Sequence, residues 1–182
     1  MSAEHCLAAS AAAVIVALCA VFLSGADAAE AAPVALEGTF QFGGSEGELR
    51  AISAQIEAAI ADMGFYLRPI ARARLQKLTD PAPLFVFTPL QGGVQVQNAM
   101  VDRPCRYDGS TTVFTNRLGK TTRAVCRRTE RGIREDFLGE EPGTWSHEFR
   151  LGQGGDVLVQ QVRVTAPLLG RPLEYSLTYA RE

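Results

Sequence analysis

Gly43-Gly44-Ser45-Glu46-Gly47 fits the pattern G-x-S-x-G, which in hydrolases places a serine nucleophile on a sharp strand-to-helix turn. Asp136 and His147 follow in the chain order of a Ser, Asp, His acyl-transfer triad. Ser45 also has a plainer reading. With Glu48 it makes the S-x-x-E box that caps a helix. A hydrolase of that class needs several βαβ units, and no crossover helix pattern follows Leu78. A serine-dependent, esterase-like hydrolase is therefore the weaker of the two readings. The remaining carboxylates are scattered or adjacent, as at Glu135-Asp136 and Glu140-Glu141. Neighbours on a strand point to opposite faces, so they make poor acid–base partners. No P-loop, dinucleotide or metalloprotease pattern occurs. The expectation is a non-enzyme without catalytic residues, cofactor or metal.

Binding chemistry is easier to find. His147 alternates with Trp145, Phe149 and Leu151, which turns it toward the apolar side of a strand. There it is a hydrogen-bonded core histidine if that side is filled, and a ligand contact if it is hollow. Tyr175 and Tyr179 share a face with Leu173 and Leu177, with the same two alternatives. Between Arg117 and Arg134 stand seven basic residues: Arg117, Lys120, Arg123, Arg127, Arg128, Arg131 and Arg134. Guanidinium forks bind carboxylates and phosphates two-pronged, so this stretch reads as a site for an anion. It reads more plainly as a charged edge that resists strand-to-strand aggregation. Candidate ligand-binding residues are Arg123, Arg127, Trp145, His147, Tyr175 and Tyr179.

The chain of 182 residues carries 18 Lys and Arg against 20 Asp and Glu. Residues 7–23 are apolar or small throughout, and Ala26-Asp27-Ala28 offers the small-x-small pattern of signal cleavage. Residues 1–28 are read as a signal peptide, with Ala29-Glu30-Ala31 as an alternative cut and an uncleaved anchor as the competing reading. That reading places the mature protein in the periplasm or outside the cell. It would have balanced charge and no membrane span, and so no field to attract nucleic acid. Cys105 and Cys126 remain as an even pair, read as a disulfide. Two cysteines and one histidine make no convincing zinc site.

Residues 29–35 read as a flexible leader, and 36–182 as a single β-rich domain. Phe40 and Phe42 alternate with polar residues as in a strand. From Ser45, the apolar positions Leu49, Ile52, Ile56, Ile60 and Met63 predict a long helix that stops at Gly64. Pro69 opens a shorter second helix over 70–78, with Arg68, Arg72 and Lys77 on its wet face. Turn signals then recur every eight to twelve residues between short apolar-polar runs, the mark of antiparallel strands. The fold class is mainly β (α+β). It is an antiparallel meander, barrel or half-barrel of about 8–9 strands packed on one long N-terminal helix and a short second helix.

The segment from Gly155-Asp156-Val157-Leu158 through Leu173, Tyr175, Leu177, Tyr179 and Arg181 resembles the closing hairpin of small lipocalin-like β-barrel proteins. Phe40-Gln41-Phe42-Gly43-Gly44-Ser45 and Ile70-Ala71-Arg72-Ala73-Arg74-Leu75 resemble segments of uncharacterised exported bacterial proteins of the same layout. The resemblance implies binding of an apolar or amphipathic ligand rather than chemistry. The leading expectation is an exported binding protein with a small amphipathic or lipid-like ligand in a barrel interior. In it, Arg123 or Arg127 and His147 meet the ligand's polar end. The alternative is a cell-envelope accessory protein whose basic patch meets an anionic envelope component.

Overall fold

Alternation of apolar and polar residues gives each strand one dry face, and a sheet of such strands must bury it. In this chain the sheet does so by curling on itself. The computed structural model describes residues 35–115, 119–139 and 143–182. The expected signal peptide and leader lie outside the described residues, except at residue 35. Strand β1 (Gly38–Phe42) leads into helices α1 (Glu46–Ala59) and α2 (Arg68–Thr79). Then follow β2 (Leu84–Leu90), β3 (Gly93–Asn98), β4 (Val101–Arg106), β5 (Thr111–Thr115) and β6 (Thr121–Thr129). The last four are β7 (Gly132–Leu138), β8 (Thr144–Leu151), β9 (Val157–Thr165) and β10 (Leu173–Arg181).

Apart from β4 and β5, successive strands pair antiparallel, and β1 also pairs with β10, Phe40 opposite Arg181. The result is a nearly closed up-and-down barrel. One seam stays open. Among the described residues β4 and β5 share no ladder, and they are the two ends of the strand order. Side chains cross the seam instead. Cys105 on β4 forms a disulfide with Cys126 on β6, with Cα atoms 5.2 Å apart. The Thr112 hydroxyl on β5 donates to the Pro104 carbonyl on β4 at 2.9 Å.

The ten strands exceed the eight or nine read from sequence, and the extra one is β4. Its hairpin with β3 turns on Asn98, whose side-chain oxygen accepts the N–H groups of Met100 and Val101, both at 2.9 Å. Such an Asx turn needs no glycine. Pro104 also argues against a strand in sequence, yet here it sits on a seam strand where a missing N–H costs little. Helix α1 ends at Ala59 rather than at Gly64. Ile60 and Met63 still pack inward, but from a turn. There Arg68 donates to the carbonyls of Met63 at 2.8 Å and Ala61 at 2.5 Å, groups that a continued helix would have satisfied.

The two helices cover one end of the barrel, the end that carries the β5–β6, β7–β8 and β9–β10 turns. Helix α1 buries Ile52, Ile56 and Ala59 and is tied to β10. The tie is direct: the Thr178 hydroxyl donates to Glu48 Oε1 at 2.6 Å. The far end is filled. Phe85 meets Phe149 and Tyr179, each with ring centroids 5.1 Å apart, and Phe87 meets Phe40 at 5.9 Å and Phe149 at 5.3 Å. Edge-to-face pairs of this kind add about 0.5–1.5 kcal/mol each beyond their burial.

Candidate functional site

The inward faces of β6 to β9 form a ladder of steps from the filled end to the helix-covered end. On β8 the steps are Leu151, Phe149, His147 and Trp145. On β7 they are Ile133, Glu135 and Phe137. The middle steps are polar. Arg103 reaches from β4 to Glu135 on β7 with two hydrogen bonds, Nε to Oε1 at 2.8 Å and Nη2 to Oε2 at 2.5 Å. Their side chains are 5% and 1% exposed. The guanidinium lies 5.1 Å from the Phe114 ring centre and 5.4 Å from that of Phe137. Beside this pair runs a second network. The Tyr179 hydroxyl donates to Gln160 Oε1 at 3.2 Å, and Gln160 Nε2 lies 3.3 Å from His147 Nδ1.

Above the polar steps the barrel is hollow. A cavity of about 500 Å³ opens between α2 and the strand ends. Its inner end is one layer of side chains: Thr122, Phe137, Trp145 and Val164. The register places these side by side, with Phe137 opposite Trp145 and Trp145 opposite Val164. The next step inward on each strand, Ala124, Glu135, His147 and Val162, does not line the cavity. Its lid is α2, which presents Ala71, Leu75 and Leu78, and its far wall is the β9–β10 turn with Leu168 and Leu169. The size falls in the usual range for small-molecule sites, and the lining is mostly apolar, as such sites are.

The cavity explains the sequence of α2. Every third or fourth residue is apolar, yet few are fully buried, because the face they form looks onto open space. Among the residues lining it, Leu67 and Ile70 on the helix side and Leu168 on the β9–β10 turn are exposed apolar residues. An exposed patch of this kind marks an interaction site more often than an accident.

Each residue expected from sequence has a definite place. Trp145 lines the cavity. His147 lies one step deeper, among the rings of Phe137, Trp145 and Phe149 at 4.9, 4.9 and 5.8 Å. It is half-buried there and does not line the cavity. Tyr179 is fully buried in the aromatic cluster, and Tyr175 packs half-buried against the core. Arg123 and Arg127 share the outer face of β6 and are exposed, while Thr122, Ala124 and Cys126 face in. Arg127 binds Asp136 at 2.8 Å, which Arg134 also binds at 3.0 Å. The outer wall therefore offsets part of its own basic charge. Arg117 lies outside the described residues.

Ser45 takes the capping alternative. The Glu48 N–H donates to Ser45 Oγ at 3.4 Å, at the first turn of α1. The reciprocal half of the box is not used, since Glu48 serves Thr178 instead. Sequence reasoning missed the α2 face, Thr122 and Phe137. The signal for α2 was present in the spacing of Leu67, Ile70, Ala71, Leu75 and Leu78. Nothing in the sequence separated a helix covering a hollow from one covering a filled core.

No protein-family model matches the chain, and no curated protein matches it. Among solved structures the chain is similar to one described as REP1-NXSQ fatty acid transporter, at 14% identity and a TM-score of 0.48. That match covers 80% of this chain and 95% of the other. The fatty-acid-binding protein 1 of Echinococcus granulosus matches at 14% identity and a TM-score of 0.48, over 80% and 96% of the two chains. A zebrafish ileal bile-acid-binding protein in complex with cholic acid matches at 8% identity and 0.47, over 80% and 98%. The fold described above stands on this chain's own strand order.

Proposed function

We propose that the protein is an exported, non-enzymatic carrier that holds a small amphipathic or lipid-like ligand in the cavity beneath α2. The observation that carries this reading is the cavity itself: hollow, apolar, walled by five elements, and fringed with exposed apolar side chains at its mouth. An empty apolar space of about 500 Å³ forfeits packing contacts that a filled core would keep. A chain that can fill its far end with five aromatic rings has no folding reason to leave the near end open. The disulfide across the seam accords with an oxidising compartment.

Trp145 makes the test direct. It is the single tryptophan of the chain and it lines the cavity, so its fluorescence reports occupancy. Fatty acids and cholic acid, the ligands named for the similar structures, are the first probes. Saturable change in Trp145 emission at one equivalent supports the reading. An unchanged spectrum across apolar, anionic and neutral amphiphiles would sink it. Export is tested apart, by mass spectrometry of protein expressed with its own first 28 residues. Cleavage after Ala28 or Ala31 is the expected result.

A further inference from the structure

The polar steps beneath the cavity are matched to one another. Arg103 and Glu135 bond each other, and the Tyr179 hydroxyl, Gln160 and His147 form a chain. The inner end of the cavity is different. Among the described residues, the buried side-chain atoms without a hydrogen-bond partner are Glu48 Oε2, Thr122 Oγ1 and Thr129 Oγ1. Of these three residues only Thr122 lines the cavity. It is 3% exposed and faces inward from β6, opposite Phe114 on β5. The layer it shares with Phe137, Trp145 and Val164 is otherwise aromatic or aliphatic.

Folding gains nothing from a hydroxyl at this position. Valine would fill the same space, and an unmet buried hydroxyl is costly. A group that enters through the cavity can remove that cost. Thr122 reaches it by a step between staggered χ1 wells, which turns the hydroxyl from the wall to the space the residue lines. The chemistry of that group is restricted. A hydroxyl offers one donor and two lone pairs, and no charge. A carboxylate or ammonium would have to shed its water here with one neutral hydroxyl to replace it. A hydroxyl or carbonyl oxygen gives up less and is met in full.

We propose that Thr122 is a specificity-determining residue for the deep end of the ligand. The ligand class is an amphiphile that carries an uncharged oxygen function, a hydroxyl or a carbonyl, at the end lying innermost. That oxygen bonds Thr122 Oγ1, while the carbon next to it rests on Phe137 and Trp145. This inference rests on the carrier reading above and names the class of ligand that the same site takes.

The test uses three acids of one chain length, read by Trp145 fluorescence on the mature protein: dodecanoate, 12-hydroxydodecanoate and dodecanedioate. Each is measured on the parent, T122V and T122S. The affinity ratio of hydroxy acid to plain acid is expected to fall about tenfold in T122V, the scale of one buried hydrogen bond lost. T122S keeps the hydroxyl and is expected to keep the parent ratio. Dodecanedioate is expected to bind the parent at least tenfold more weakly than the hydroxy acid. A ratio unchanged in T122V, or one that falls as far in T122S, would overturn the proposal. So would a dicarboxylate as tight as the hydroxy acid, or a dodecanoate weakened by T122V, which would put the carboxylate innermost. Failure of all three acids to bind the parent would instead overturn the carrier reading itself.

Discussion

Arg103 and Glu135 face each other across the barrel interior with two parallel hydrogen bonds, both side chains almost wholly out of water. The pair joins β4 to β7 and so spans the open seam from within. Removing two charges from water costs about as much as their attraction returns, so such a pair is weak as net stabilisation. Losing one partner is another matter, because the remaining charge is then buried alone. Either R103M or E135Q should therefore lower unfolding free energy by about 3–5 kcal/mol. The double variant R103M/E135L should recover most of that loss. Urea unfolding followed by Trp145 emission checks both, and a double variant as weak as the singles would contradict the account.

The disulfide closes the same seam on the same strand, two residues from Arg103. Cys105 and Cys126 are 21 positions apart. Closing a loop of that length restrains the unfolded chain by about 3 kcal/mol on the chain-entropy account. The seam has no ladder to share the load, so the native side also leans on this bond. C105S/C126S should lose at least that amount in urea. Hydrogen exchange should rise first in β4 and β5, and uniform loss of protection around the barrel would argue against a local seam.

The barrel was legible in the chain because its strands keep strict alternation. His147, Phe149 and Leu151 face in as their period of two requires, and so do Leu173, Tyr175, Leu177 and Tyr179. The cysteine pair was legible from parity alone. Strand β4 was not, because Asn98 supplies a turn by its side chain and Pro104 breaks the usual strand pattern on a strand that can spare the N–H. The site was only partly legible. Trp145 reaches it, but His147 on the same face stops one step short. Arg123 and Arg127 share the outer face of β6, because Ala124 and Cys126 hold the inward positions of that strand. Alternation assigns a residue to a face. It cannot say at which step along the barrel filling stops and the cavity begins.

The two helices are pinned to each other by Glu57 on α1 and Arg72 on α2, whose bonds measure 2.5 and 2.7 Å. The hydrogen bond from Arg72 holds the Glu57 carboxyl below its ordinary value. A carboxyl lowered in the folded state adds stability above its unfolded pKa, and this is lost as pH falls through the folded one. The helix contact should therefore loosen as pH drops below about 4.5, the ordinary value for Glu. E57Q should remove that step from the acid titration while leaving neutral behaviour nearly unchanged, since the pair is exposed. Amide exchange in α2 between pH 5 and pH 3 at a few constant salt concentrations would show it.

Gly132 opens β7 directly against β8. A Cβ at this position would lie 2.9 Å from the carbonyl carbon of Phe149, and closer still to its oxygen. The obstacle is backbone rather than a flexible side chain, so G132A must push the two strands apart. They carry Phe137 and Trp145, opposite each other at the inner end of the cavity. The variant should lose about 1–3 kcal/mol, the usual cost of overpacking, and should shift Trp145 emission in the ligand-free protein. If G132A matches the parent in both urea midpoint and emission, the close approach at the start of β7 does not govern the geometry of the cavity.

Thr122 makes the sharpest local case. Its hydroxyl is buried and has no hydrogen-bond partner among the described residues. An unmet buried hydroxyl costs about 1–3 kcal/mol of desolvation. Valine has nearly the same shape and no such debt. T122V should therefore be as stable as the parent or more so by up to about 1 kcal/mol, where most core changes destabilise. Its side chain also lines the inner end of the cavity. If the chain end of a ligand rests there, T122V should tighten a purely hydrocarbon tail and weaken one that ends in a hydroxyl, which a turn about χ1 would let Thr122 bind. Affinities of dodecanoate and 12-hydroxydodecanoate, measured side by side for parent and variant, decide it. A fall in stability would mean the hydroxyl is satisfied in solution, and equal ratios of the two acids would remove Thr122 from the site.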